Sequence, residues 1–267
     1  MPANVMEWLN LVFRWAHVFS AILWVGSTYY FTWLDGQMRR MERSGAKGGV
    51  WMVHSGGFYT VVKQDTLTVP PAQVHWFRYE ALFTFLTGFI LLNLLYYHGG
   101  LMVDPIDPKI GKIAASIVGV ATLLVGFAVY DVLAKTLGKN DVVFGVVSFV
   151  LIVALTYGLS TVLSSRATYM HVGALFGTIM VANVWMRILP PQRRMIAAAA
   201  KGTPFDAATG AGAKLRSKHN TFLAVPTTFI MISNHFPTAT YGNHNAVAVL
   251  GALILVGWGA AAWLRRI

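Results

Sequence analysis

Residues 142–164 read VVFGVVSFVLIVALTYGLSTVLS, 23 in succession without a charged side chain. An α-helix needs about 20 apolar residues to cross the ~30 Å hydrocarbon core of a bilayer. Lipid offers backbone amides no partners, so such a run must satisfy its own hydrogen bonds as a helix. Working outward, six further apolar runs lie at about 8–34, 76–97, 113–134, 167–189, 219–236 and 245–264. The fold expected is all-α, a polytopic membrane helix bundle of seven transmembrane helices forming a single transmembrane domain over 1–267. Composition agrees, with 56% hydrophobic and 12% charged residues and a mean hydropathy of +0.57, where a soluble domain carries roughly 25% charge. With 9 Trp, 16 Phe and 10 Tyr, intrinsic disorder is excluded as well.

The formal net charge of +11 has two readings, a nucleic-acid surface or the basic side of a membrane protein. The positions of Lys and Arg decide between them. Seventeen fall in alternate connections and the C-terminal tail, among them Arg39, Arg40, Lys63, Arg78, Lys135, Arg187, Arg193 and Arg216. Lys109, Lys112 and Arg166 alone occupy the opposite connections, and Arg14 sits within the first run. Topology therefore accounts for the charge, no nucleic-acid partner is implied, and the N-terminus is expected outside with the C-terminus in the cytoplasm. The two long connections, 35–75 and 190–218, are then cytoplasmic loops. The first carries GGVWMVHSGGFYTVVKQ, whose paired glycines between β-prone runs suit a hairpin or lid. The second reads as a short interfacial helix and a flexible Gly/Ala segment. The start, MPANVMEWLNLVFRW, lacks the basic region and cleavage site of a signal peptide, so its apolar run is read as retained.

There is no cysteine, which excludes thiolate ligands, disulfides and covalent CxxCH haem. Eight histidines remain as the informative residues, because polar groups in a membrane are costly and usually have a task. His17, His98, His171, His235 and His244 fall toward the outer side; His54, His75 and His219 fall on the cytoplasmic side. Outer imidazoles on separate helices suit a non-covalent haem b, held from two faces. His17 and His171 are the first choice for the iron and His235 the third, with Arg14 one turn above His17 as a propionate partner. Taken alone, His17 reads equally as an interhelical hydrogen bonder. Gly173 and Gly177 form a GxxxG helix-packing pattern, Asn183 reads as an interhelical hydrogen bond, and Pro226 as a kink.

The cytoplasmic side offers His54, Tyr59, Lys63, His75, Arg78, Glu80, Asp131, His219 and Asn220 beside Trp51 and Trp76. Basic groups and stacking rings of this kind suit a planar anionic substrate. His54 and His219 are the candidate bases, and Arg78, Asn220, Lys63 and Tyr59 the candidate binding residues. A second haem on His75 and His219 stays open.

WAHVFSAILWVG, VHSGGFYTVVK, VHWFRYEALFTFLTGF, HVGALFGTIMVANVW followed by PPQRR, and SKHNTFLAVPTTFIMISNHFP together resemble the membrane domain of the bacterial cytochrome c-linked urate oxidases. The likeness runs from about residue 8 to 240 in one order and spacing. It implies a multi-pass protein of the bacterial inner membrane, acting in purine breakdown. The reaction implied is oxidation of urate to 5-hydroxyisourate without hydrogen peroxide, with electrons leaving to cytochrome c. Family members continue into a periplasmic cytochrome c domain bearing CxxCH, whereas this sequence stops at Trp263-Leu264-Arg265-Arg266-Ile267. A separate cytochrome c, or another acceptor, is therefore expected as partner. A homo-oligomer or a place in a larger complex is left open. Two other readings stand beside this one: a non-enzymatic cytochrome b subunit for electron transfer, and a purine transporter whose histidines relay protons. The His and WxG of helix 1 also resemble small haem-binding porphyrinogen oxidases, over that helix alone.

Overall fold

The computed structural model describes residues 3–46, 48–64, 71–203 and 207–266. Lys47 and parts of both predicted loops, 65–70 and 204–206, lie outside the described residues. Helix α1 spans Ala3–Ser44 and is followed by an antiparallel hairpin, β1 Val50–His54 and β2 Gly57–Val61. Then come α2 Tyr79–Leu92 with a π-helical turn at Asn93–Tyr97, α3 Lys112–Thr136 and α4 Asp141–Ser160. Helix α5, Ser165–Ala182, runs through a π-helical stretch, Asn183–Ile188, into α6 Leu189–Ala200; α7 Ala207–Ser233 and α8 Ala246–Leu264 complete the chain. The architecture is all-α apart from the hairpin.

Six helical runs are long and apolar enough to cross a membrane: α1, α2 with its π turn, α3, α4, the continuous Ser165–Ala200 run, and α8. Helix α7 is long enough, yet Arg216, Lys218, His219 and Asn220 make its first half polar. It packs along α5 and α8, so it belongs to the bundle by contact. Helix α1 is about 63 Å long at 1.5 Å per residue, about twice the hydrocarbon thickness. Ten residues predicted as loop, 35–44, are therefore helical.

The second predicted loop holds the short helix expected of it, Leu189–Ala200, and is corrected in its Gly/Ala segment. Residues 189–200 and 207–218 are helix, and the Gly/Ala segment is ordered because Ala213 and Arg216 are buried against the bundle. Pro190 and Pro191 do not break the chain's helical course, since they sit in the first turn of α6, where a missing N–H costs nothing. The hairpin forms as expected, with Val50 opposite Val61 and His54 opposite Gly57. Its two turn residues, Ser55 and Gly56, both have positive φ, at 48° and 76°, as a two-residue hairpin turn of matching twist requires.

Helix α5 is the hub. Tyr169, Val172, Leu175 and Phe176 are buried on it among α2, α3, α4 and α7. Small residues let the helices close: Gly173 faces Ile230 of α7, Gly126 of α3 faces Leu175, and Gly257 of α8 faces Pro226. Gly177 has open space above it, so one member of the GxxxG pair makes the contact and the other does not. Asn140 caps α4 by accepting from the amides of Val142 and Val143, and Ser164 caps α5 by accepting from Ala167. Helices α3 and α4 touch over a small patch only, which leaves a slot between them.

Candidate functional site

At the basic end of the bundle, α3, α7 and the π-helical stretch after α5 bring polar side chains into the interior. Asn183, fully buried, opens that stretch. A π-helical widening shifts side chains out of the α-helical register and often marks a functional position. Its Nδ2 donates to the Tyr130 hydroxyl at 2.8 Å and to Asn220 Oδ1 at 2.9 Å. Asn220 Nδ2 donates to the Met180 carbonyl at 3.0 Å. The Tyr130 hydroxyl lies 2.9 Å from His219 Nδ1, and the His219 ring is stacked on Phe144 at 4.4 Å and 7°.

Asp131, the next residue on α3, collects cations. Arg187 binds it through Nε at 2.8 Å and Nη2 at 2.5 Å, Arg216 Nη2 at 2.9 Å, and Lys135 at 2.7 Å. Three positive charges on one carboxylate leave an excess of positive charge at this end. Arg216 is buried, lies 5.1 Å over the Tyr130 ring, and has Nη1 buried without a partner. Asn183 Oδ1 is likewise buried without a partner. An unused cationic donor and an unused acceptor are what a planar anion with alternating carbonyls and N–H groups would satisfy.

Of the six candidate bases and binding residues, His219 and Asn220 belong to this cluster, as does Asp131 from the wider cytoplasmic group. The other four lie elsewhere. His54 is exposed at the hairpin turn and Tyr59 is half-exposed on β2. Lys63 pairs with Asp35 at 3.8 Å. The Arg78 guanidinium stacks over Trp76 and Tyr79, and Nη2 donates to the Tyr79 hydroxyl at 3.1 Å. Among the described residues no hydrogen bond, ion pair or ring contact joins these four to His219 or Asn220. Tyr130, Arg187 and Arg216 were not singled out from the sequence, and Asn183 was read as structural. The available signal was spacing: Asn183 with Arg187, and Arg216 with His219 and Asn220, each share a helix face.

A haem b held by the outer residues would need imidazole nitrogens free to reach its iron. His17 Nδ1 donates to the Thr84 carbonyl at 2.9 Å, with Thr87 Oγ1 at 3.2 Å. His171 is fully buried and its Nδ1 donates to the Ala167 carbonyl at 2.8 Å. His17 thus has Nδ1 fixed by a carbonyl and, among the described residues, no hydrogen-bond partner on Nε2, the arrangement usual for metal-bound imidazole. The Tyr97 hydroxyl lies 3.2 Å from His171 Nε2. Glycines face both rings, Gly88 at His17 and Gly119 at His171. The two rings meet α2 at different levels, however: His17 at Thr84–Gly88 and His171 at Tyr97, nine residues or about 13 Å further along. Of the two, His17 leaves a nitrogen open for an axial role, whereas His171 Nε2 meets Tyr97 and the Gly119 backbone; the rings do not face one another across one porphyrin. His235 is exposed two residues beyond the end of α7. Arg14 donates to Asn10 Oδ1 at 3.3 and 3.2 Å.

An all-α bundle with membrane-length helices and a buried, cation-rich polar cluster at one end is the class that fold and site define. The chain belongs to the urate oxidase N-terminal family, whose model matches residues 3–266. Neither the search of curated proteins nor that of solved structures returned a match.

Proposed function

We propose that this chain oxidises urate to 5-hydroxyisourate at the buried polar cluster of Tyr130, Asn183, Arg216, His219 and Asn220. The observation that carries the proposal is the pair of unused buried groups, Arg216 Nη1 and Asn183 Oδ1, in a chain of this family. Arg216 neutralises the urate anion and Asn183 accepts from a ring N–H. The Tyr130 hydroxyl, which Asn183 orients, passes a proton to His219 Nδ1. Water supplies the new oxygen, so urate and water give 5-hydroxyisourate, two electrons and two protons. His54 is the weaker candidate base because it lies at the exposed hairpin turn.

The electrons leave to a cytochrome c, the acceptor that the family resemblance implies. His17 would hold a haem b, which would supply one-electron chemistry. The membrane reading is seven spans, with α7 crossing beside α5 and α8, the N-terminus outside and the basic end in the cytoplasm of a bacterial inner membrane. The segregation of basic residues supports this orientation.

Anaerobic addition of urate to purified protein in lipid nanodiscs tests the reaction. The expected result is 5-hydroxyisourate formation on supplying oxidised cytochrome c, with reduction of a b-type α-band. Arg216→Lys, which keeps charge but loses the fork, is expected to raise KM for urate about tenfold. Absence of product with intact, haem-loaded protein would overturn the proposal.

A further inference from the structure

The hairpin of β1 and β2 has two unlike faces. Successive strand residues point to opposite sides and cross-strand partners to the same side, so Trp51 and Val53 share one face with Thr60 and Phe58. The other face carries Val50, Met52, Tyr59 and Val61. That second face ties the hairpin to the bundle: Val50 is buried, and the Tyr30 hydroxyl of α1 lies 3.5 Å from Met52 Sδ. The first face is open, with Trp51 and Val53 each 71% exposed and Phe58 81%. Large apolar side chains gathered on one bare face mark a contact with lipid or with another protein.

Depth decides between them. Helix α1 has no Asp, Glu, Lys or Arg from residue 15 to residue 34, a length of about 30 Å at 1.5 Å per residue, which matches the hydrocarbon thickness. Arg14 and Asp35 thus bracket the hydrocarbon on this helix. The hairpin is tied to α1 at Tyr30 through Met52 and at Asp35 through Lys63, whose Nζ lies 3.8 Å from the carboxylate. Both ties fall at the basic boundary or within about 8 Å of it, so the hairpin sits where acyl chains give way to headgroups. Exposed rings continue that level around the bundle, with Tyr30 and Phe31 on α1, Phe77 at 4.9 Å from Phe31, and Tyr79. A belt of aromatic rings at one depth is the mark of a membrane interface. Arg39, Arg40 and Arg43, against Glu42 alone, follow Asp35 on the helix, beginning about 6 Å further out, within reach of lipid phosphates.

We propose that the hairpin is seated in phospholipid, with Trp51, Val53 and Phe58 in the boundary between headgroups and acyl chains at the basic end of the bundle. The bare face is continuous with the ring belt, and the arginines past Asp35 supply the charge that phosphates attract. Seating holds the hairpin, and the exposed His54 beside its turn, at the membrane surface. The inference stands apart from the urate reading, since it rests on register, exposure and depth alone.

The test uses the full chain in nanodiscs of phosphatidylcholine and phosphatidylglycerol. Because the chain has no cysteine, a nitroxide can be placed singly through Val53→Cys, Phe58→Cys or Ser44→Cys. Ser44, exposed at the end of α1 and beyond Asp35, is the aqueous reference. Oxygen concentrates in lipid and a nickel chelate in water. The ratio of their collision rates at 53 and 58 is expected to exceed that at 44 by about tenfold, as an apolar face sunk about 5–10 Å into the boundary requires. The unlabelled chain gives a reading without the probe. The emission that Trp51→Phe removes is expected to be quenched by lipid brominated near the headgroup end of its acyl chain, and less by lipid brominated near the methyl end. Nickel access at 53 and 58 equal to that at 44 would overturn the proposal. Labels shielded from both reagents, with Trp51 unquenched, would overturn it in favour of a protein partner, a second copy included.

Discussion

Asp131 is a single carboxylate facing three cations, and the consequence of removing it is large. Asp131 and Arg216 are each less than a tenth exposed, so Asp131→Ala leaves a guanidinium buried without its counter-charge. Breaking a buried pair this way costs about 3–5 kcal/mol. The expected outcome is a clear fall in apparent Tm in detergent, whereas Lys135→Ala, at the solvent-facing end of the same cluster, should change it little. Asn183→Leu separates fold from function differently. It keeps the volume and loses the links to Tyr130 and Asn220, so about 1–3 kcal/mol of stability is expected to go, along with urate binding measured by calorimetry. These residues were only partly legible. Arg187 and Arg216 look in sequence like the charges any basic loop supplies, because nothing in a one-dimensional string shows that two of them turn inward to one carboxylate. Asn183 looks like any polar residue bridging two helices, and it does bridge them; its unused oxygen is visible only in three dimensions.

Elements with long apolar runs were legible because the bilayer demands about 20 such residues and leaves helix as the one open-ended solution. Helices α3 and α8 start and stop within about two residues of the apolar edges, and α4 starts within one and stops four short, at Ser160. The failures occur where packing, not hydropathy, orders the chain. In the Gly/Ala stretch of α7, Gly210 and Gly212 each disfavour helix by about 1 kcal/mol relative to Ala, and it is nevertheless helical, with Ala213 and Arg216 buried on one side. The π-helical stretch at Asn183–Ile188 has no hydropathic signature at all. Glycines give the sharpest test at this scale. A methyl on Gly119 would stand 2.6 Å from His171 Nε2, so Gly119→Ala must displace a buried imidazole or the helix carrying it. A loss of about 1–3 kcal/mol is expected, with a shifted His171 signal by NMR. Gly145→Ala meets nothing within 4 Å and is expected to be neutral or mildly stabilising, as thermal unfolding of the two variants side by side will read.

At the scale of the whole molecule, the cysteine-free chain permits a clean topology experiment. Single cysteines at Ser55 and at Asn243 lie in turns at the two ends of the bundle. With the orientation proposed, a membrane-impermeant maleimide added to intact spheroplasts should modify the variant at 243 and leave the variant at 55 untouched until the cells are lysed. The reverse pattern would invert the bundle and with it the side from which urate enters.

Helix α1 is attached to the rest mainly through α2, with a lighter contact to α7 that includes the Tyr29 hydroxyl on the Thr221 carbonyl at 2.8 Å. Its remaining flank, from Trp8 through Trp15 and Phe19 to Leu23, is bare of protein. Acyl chains are therefore its natural neighbours there. Stripping annular lipid with a short-chain detergent should loosen this outermost stave first, and amide deuteration would register α1 opening while the barrel around α5 still held shut.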